Sequence, residues 1–362
     1  MLKTKSQIRT ISLIAAVLAF ALLILTACGS AETKPEKTAP TQSASASQKT
    51  PDLPDPRAIK GLTTVPELKD PEVIDGKYEQ KLPATITDFE GKEVTVNDTS
   101  RILALDLYGT LSRTVIALGY GKNIVGKTVS STEEQLKDLP TVTENGHQLN
   151  VEAILALKPT LILVDHSIGP PEAIEQLRAT NGVSVVLMDG ERSFEKTGEL
   201  TKHVAQALGV DEAGDALAKR TDEEIKAAEE KIKTWAPEKP LGGAFLYVRG
   251  KQGIFFILGS MSSSLLKSLG VRDLAGENDI RDLVPANAES LAKLNPEVIF
   301  AMTGGIESAG GMDSFMARPG VAQTTAGKNQ RVVAIPDGIA LSYGPQSGEV
   351  LLNIAKAIYG VK

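Results

Sequence analysis

The sequence predicts an α/β protein: two Rossmann-like lobes joined by a single long helix, with a ligand cleft between them. Three observations carry this. Short apolar strands alternate with helices, which implies parallel sheets covered on both faces. A helix–proline–strand stretch recurs, once in each half. A charged, alanine-rich run, Asp211–Lys233, separates the halves. The length of 362 residues suits about two domains. A net charge of −6 argues against nucleic acid as a partner and supplies no basic patch for a membrane. With one cysteine, no internal disulfide is possible, so the fold rests on its hydrophobic core.

In chain order, residues 1–27 read as a signal peptide. Lys3, Lys5 and Arg9 precede an apolar run over 11–25, shorter than the roughly 20 residues that span a bilayer. It ends in Leu25-Thr26-Ala27-Cys28, which resembles a bacterial lipobox with Cys28 as the lipidation site; a plain membrane anchor with an incidental cysteine is the alternative. Residues 28–81, rich in Ser, Thr, Ala, Lys and Pro, read as a disordered tether. About fifty such residues reach on the order of 40 Å.

The N-terminal lobe is expected over 82–208. It opens with a hairpin (Thr85-Ile86-Thr87-Asp88 and Glu93-Val94-Thr95-Val96, turning at Gly91). A strand over 101–105, a helix over 110–118, strands over 161–164 and 183–188, and a helix over 193–208 follow. The connecting helix spans 209–236, its charges spaced at three and four, and Pro237 and Pro240 close it. The C-terminal lobe takes 237–362, with strands over 244–248, 298–301 and 331–335. The recurring stretch is Val151 to Pro159 running into Leu161-Ile162-Leu163, and Ala288 to Pro296 running into Val298-Ile299-Phe300. In each, a glutamate (Glu152, Glu289) stands seven residues before the proline. This suggests two equivalent lobes, although a common αβ unit also recurs by chance.

Residues with ligand chemistry fall in two places. In Phe245-Leu246-Tyr247-Val248-Arg249-Gly250, strand alternation puts Tyr247 and Arg249 on one face, where open α/β sheets present ligand groups. A neighbouring cation favours a phenolate, and tyrosine is an established haem ligand. A buried tyrosine beside a surface arginine gives the same pattern. His147 lies in a polar loop, Glu144-Asn145-Gly146-His147-Gln148, free to offer an imidazole nitrogen to a metal or simply to water. His166, after the strand over 161–165, is a reserve ligand, and His203 reads as a solvated helix residue. No His-x-x-x-His or Cys-x-x-Cys occurs, which disfavours a zinc site or protein-only metal cage.

Together the lipobox, the duplicated Glu-to-Pro stretch, Tyr247-Val248-Arg249-Gly250, Met302-Thr303-Gly304-Gly305, Arg318-Pro319-Gly320-Val321 and Ser342-Tyr343-Gly344-Pro345 resemble the haem-binding lipoproteins of bacterial haem-uptake ABC transporters, the HmuT type. The resemblance covers about 82–362. It implies a binding protein, not an enzyme, that captures ferric haem b and delivers it to an ABC permease and its ATPase. It implies His147 and Tyr247 as axial iron ligands, Arg249 hydrogen-bonded to the Tyr247 oxygen, and Glu152 and Glu289 docking on the permease. Met302 would line the pocket, as would Tyr108, for which a packed surface tyrosine is the alternative. The protein would be a monomer, lipid-anchored outside the cytoplasmic membrane of a Gram-positive bacterium. Gln346 departs from the pattern, where many relatives carry a basic residue.

A ferric-siderophore or cobalamin receptor is the competing reading, disfavoured by 4% aromatic content and the lone Trp235. A surface hydrolase lacks a Gly-x-Ser-x-Gly elbow. A dinucleotide enzyme is disfavoured because Gly119-Tyr120-Gly121 follows a helix.

Overall fold

The computed structural model describes residues 53–362. The signal peptide, Cys28 and the tether up to residue 52 lie outside the described residues. From residue 53 to 81 the tether expectation is corrected. Strand β1 (Leu62–Thr64) runs parallel to the last strand of the molecule, with Leu62 opposite Val332. Val65 is buried, and its N–H donates to the Ala334 carbonyl at 2.8 Å. The chain then crosses to the other lobe, where Ile74 N–H donates to Ala117 O and Lys81 N–H to Gly209 O, each at 2.8 Å. A three-residue edge strand held by backbone bonds needs no apolar period, so the sequence carried no sign of it.

The N-terminal lobe opens on the expected hairpin, β2 (Ala84–Thr87) against β3 (Glu93–Val96). Then follow β4 (Ile102–Leu105), α1 (Thr110–Ala117), β5 (Ile124–Gly126), and a small antiparallel pair, β6 (Thr143–Glu144) and β7 (Gln148–Leu149). Next come α2 (Val151–Ala156), β8 (Leu161–Val164), α3 (Pro171–Arg178), β9 (Ser184–Leu187) and α4 (Thr197–Leu208). The sheet order is β5-β4-β8-β9, all parallel. Side chains divide by strand alternation. Ile102, Ala104, Leu161 and Leu163 pack with Leu111, Val115, Val204 and Leu208 from α1 and α4. Leu103, Leu105, Ile162 and Val164 pack with Ile154, Ile174 and Leu177 from α2 and α3. Both faces are thus covered, which is why these strands read as continuous apolar runs.

Helix α5 (Asp211–Lys233) matches the expected connector. Its 23 residues span roughly 35 Å. Ala213 and Leu217 near its start belong to the N-terminal core, and Ile225, Ala228 and Ile232 near its end belong to the C-terminal core. One stripe at helical spacing therefore fastens both lobes.

The C-terminal lobe holds β10 (Gly242–Arg249), β11 (Ile254–Ile257), α6 (Ser260–Ser268), β12 (Arg272–Asp273), α7 (Leu274–Glu277), β13 (Val284–Pro285) and α8 (Ala288–Leu294). It continues with β14 (Val298–Met302), α9 (Thr303–Ser308), α10 (Met312–Met316), α11 (Thr325–Lys328), β15 (Val332–Ile335) and α12 (Ser347–Tyr359). The sheet runs β1-β15-β14-β10-β11-β13, and β12 also pairs with β10. It is mixed, not purely parallel, because β10 turns back into β11 as an antiparallel hairpin. Phe245, Phe300, Met302, Val333 and Ile335 face α5, α6 and α12, while Leu246, Val248, Ile299 and Ala301 face α7 to α11. Both copies of the repeated stretch fold alike, each helix capped by an asparagine side chain (Asn150, Asn287). Among the described residues no helix is long and apolar enough to cross a membrane.

Candidate ligand-binding cleft

The chemistry gathers at the C-terminal ends of the central strands, where backbone groups leave the ladder and side chains become free. In the N-terminal lobe, Asp106 follows β4, Asp165 follows β8 and Arg192 lies on the loop after β9. All three are buried. Arg192 Nη2 donates to Asp106 Oδ2 at 3.3 Å and to Asp165 Oδ2 at shorter range. Burial outweighs the guanidinium and pushes Asp165 up to about 6. Among the described residues Asp106 Oδ1 and Arg192 Nε are buried without hydrogen-bond partners. Arg192 also lies over the Tyr108 ring, Cζ 5.3 Å from the centroid. Burial and the nearby Asp165 raise Tyr108 to about 12. Tyr108 is therefore a neutral phenol, suited to lining the cleft.

In the C-terminal lobe, Tyr247 stands on β10 opposite Phe256, half-buried against the core that faces α5. Among the described residues its hydroxyl takes part in no hydrogen bond. Arg249 lies over the Tyr247 ring, Cζ 4.9 Å from the centroid. The resemblance implied a hydrogen bond from Arg249 to the Tyr247 oxygen. Here the guanidinium donates elsewhere: Nη2 to Asp337 Oδ1 at 2.6 Å and to Met302 Sδ at 3.4 Å, and Nη1 to Val248 O at 3.0 Å. A carboxylate is the stronger acceptor for a guanidinium than a neutral phenol, so the ion pair prevails. Met302 is buried beneath this group.

Between the lobes two loops meet. From the N-terminal side, Phe194 N–H donates to Ser264 Oγ at 3.1 Å on α6. From the C-terminal side, the loop after β15 reaches across: Thr110 Oγ1 donates to Ser342 O, Thr197 Oγ1 donates to Tyr343 O at 3.2 Å, and Arg113 Nη1 donates to Gln346 Oε1 at 2.7 Å. Gln346, where a basic residue was expected, thus serves a lobe-to-lobe contact. Tyr343 is buried, its ring edge-on to Phe194 at 4.8 Å. Tyr108, Arg192, Met261, Leu341 and Tyr343 line a cavity of about 160 Å³ between the lobes. That is below the roughly 300–1,000 Å³ of a pocket enclosing a small-molecule ligand.

His147 lies at the turn of the β6–β7 hairpin, exposed, after Asn145 and Gly146 with φ of 50° and 86°. Its Nδ1 lies 3.1 Å from the Asn145 carbonyl. A carbonyl only accepts, so Nδ1 carries the hydrogen and Nε2 keeps its lone pair in the neutral ring. No hydrogen bond links His147 to Tyr247, Arg249 or Met302 among the described residues. His166, the reserve ligand, is engaged elsewhere, its Nε2 3.2 Å from Glu90 Oε1. His203 is part of α4. Glu152 and Glu289 are both exposed, two residues beyond the capping asparagine of α2 and α8. No cluster of three or more His, Cys, Asp or Glu side chains suited to a metal occurs among the described residues.

Sequence reasoning missed Arg192, Asp106, Asp165 and Asp337. The first two carboxylates had a signal, since each is the first charged residue after an apolar strand.

The family model described as periplasmic binding protein matches residues 107–338. Among solved structures, the heme binding protein HmuT is 48% identical, with a TM-score of 0.83, covering 85% of this chain and 100% of its own. HmuT has also been solved with a histidine, a tyrosine or an arginine replaced by alanine, the last two being two positions apart. The periplasmic heme-binding protein RhuT from Roseiflexus sp. RS-1 is 31% identical, with a TM-score of 0.67, covering 73% of this chain and 99% of its own. BhuT, solved in complex with two hemes, is 28% identical, with a TM-score of 0.63, covering 71% and 98%. No curated protein sequence matches. A match over most of the chain, together with one 48% identical structure that is covered throughout, settles the family: the chain belongs to the periplasmic binding proteins.

Proposed function

We propose that the protein binds ferric haem outside the cytoplasm and delivers it to an ABC permease and its ATPase, without chemical change to the haem. The observation that carries this is Tyr247 with Arg249 stacked on its ring, at the C-terminal end of a central strand. It occurs in a chain 48% identical to a heme binding protein. The oxygen of Tyr247 and the Nε2 of His147 are a hard anionic donor and a neutral imidazole donor, a set suited to ferric iron. Each comes from a different lobe. Tyr108, Arg192, Met261 and Leu341 form the cleft floor, and Met302 supports the Tyr247 side. Glu152 and Glu289, at equivalent positions on the two lobes, pair with basic permease residues. A lipid on Cys28 keeps the monomeric protein at the outer face of a Gram-positive cell membrane.

Titrating the protein with hemin and following absorbance tests the reading. One-to-one growth of a shifted Soret band is expected, altered in Tyr247→Ala and in His147→Ala. Hemin spectra unchanged by the protein would refute it, and ferric-siderophore quenching of Trp235 fluorescence in their place would favour the siderophore receptor.

A further inference from the structure

Asp337 follows β15 and is committed twice. Its Oδ1 accepts from Arg249 Nη2 at 2.6 Å, and its Oδ2 accepts the Gly304 N–H at 2.7 Å. The carboxylate is therefore pinned to the start of α9 and in turn holds Arg249 over the Tyr247 ring. Two consecutive glycines make room for the pair. A Cβ on Gly304 would lie 2.9 Å from Asp337 Oδ2, and one on Gly305 would lie 2.9 Å from Arg249 Nη1. Arg249 and Asp337 are each about one-third exposed, 34% for both side chains, so exchanging one partner for another costs little desolvation.

We propose that Asp337 is a positioning residue that competes with the iron-bound oxygen of Tyr247 for Arg249. Resting on the haem reading, this assigns Asp337 control of how fast haem leaves. When the phenolate bears negative charge, two anions flank one guanidinium, and each hydrogen bond Arg249 gives to one is withheld from the other. Donation to the phenolate stabilises it as an iron ligand; donation to Asp337 withdraws that support. The next residue ties this pair to lobe movement. Gly338 packs so closely on Thr132 of the N-terminal lobe that any Cβ there would overlap the threonine hydroxyl. Parting the lobes releases that contact one residue from Asp337 and so acts directly on the Arg249 pair.

The test is Asp337→Asn, which keeps an acceptor for the Gly304 N–H and removes the charge. Hemin transfer to excess apomyoglobin gives the release rate. Asp337→Asn is expected to slow release roughly fivefold, the factor for one ion pair that is about one-third exposed. The same substitution made in Arg249→Ala is expected to change nothing. In the empty protein, the Arg249 Nη resonances should be distinct in wild type and averaged in Asp337→Asn. Equal release rates, an equal slowing without Arg249, or resonances already averaged in wild type would each overturn the proposal. Wild-type protein that takes up no hemin would instead refute the haem reading on which the proposal rests.

Discussion

Gly305→Ala makes the sharpest mechanical test of how α9 seats the Tyr247 strand. Gly305 is in the first turn of α9, and a Cβ there would stand 2.8 Å from Val248 O as well as 2.9 Å from Arg249 Nη1. An unstrained carbon–oxygen contact is about 3.3–3.6 Å, so the overlap with Val248 O is roughly half an ångström. Val248 sits in the β10–β11 ladder opposite Phe255 and cannot retreat. Overpacking of this kind costs about 1–3 kcal/mol, against which alanine recovers about 1 kcal/mol of helix propensity. The net is a destabilisation of about 1 kcal/mol, a fall in Tm of about 1–2 °C for a chain of this size. The displacement also falls on Arg249, so hemin affinity should drop about tenfold, the equivalent of about 1.4 kcal/mol. Gly304→Ala is the comparison: its Cβ meets only the Asp337 carboxylate, and a side chain yields where the Val248 backbone cannot, at the cost of loosening the bonds Asp337 makes to Gly304 and Arg249. Calorimetry and hemin titration on both variants decide the matter. A Gly304→Ala protein more damaged than Gly305→Ala, or a Gly305→Ala protein with wild-type hemin affinity, would refute the reasoning.

Two further outcomes follow from buried charges. Arg331 is 2% exposed, lowered by burial to about 10, and donates to Thr63 Oγ1 and to the Ala357 and Ile358 carbonyls. Arg331→Ala should cost about 2–4 kcal/mol in urea unfolding, and wild-type stability would show that β1 is not held by it. Asp165, raised to about 6 mainly by burial, retains in the folded protein a proton that the unfolded chain gives up near 4. Its contribution is thus full below pH 4 and is lost as pH rises through about 6, at most about 3 kcal/mol. The stability of wild type relative to Asp165→Asn should fall across that window; a relative rise would mean that the Arg192 pairing dominates over burial.

The central strands and α5 were legible in the sequence because burial on both faces, or along one stripe, leaves a periodic mark. Residues 53–81 were not. β1 is ordered by backbone pairing with Val332, Val333 and Ala334 and by Arg331, groups that lie more than 260 positions away in the chain. The same distance problem hid Asp337, 88 positions from Arg249. β11 was missed because Gly250 reads as the end of β10, whereas the chain turns back there into an antiparallel partner. Tyr247 and Arg249 could be paired from strand alternation alone, but the Asp337 carboxylate decides which acceptor Arg249 uses.

Under the proposed function, one iron is shared by the two lobes. The most direct measurement is a crystal structure of the hemin-loaded protein with anomalous scattering collected at the iron edge. A single iron peak is expected within bonding distance of both Tyr247 Oη and His147 Nε2. An iron bound by neither side chain, or by Tyr247 alone with His147 left in solvent, would contradict it.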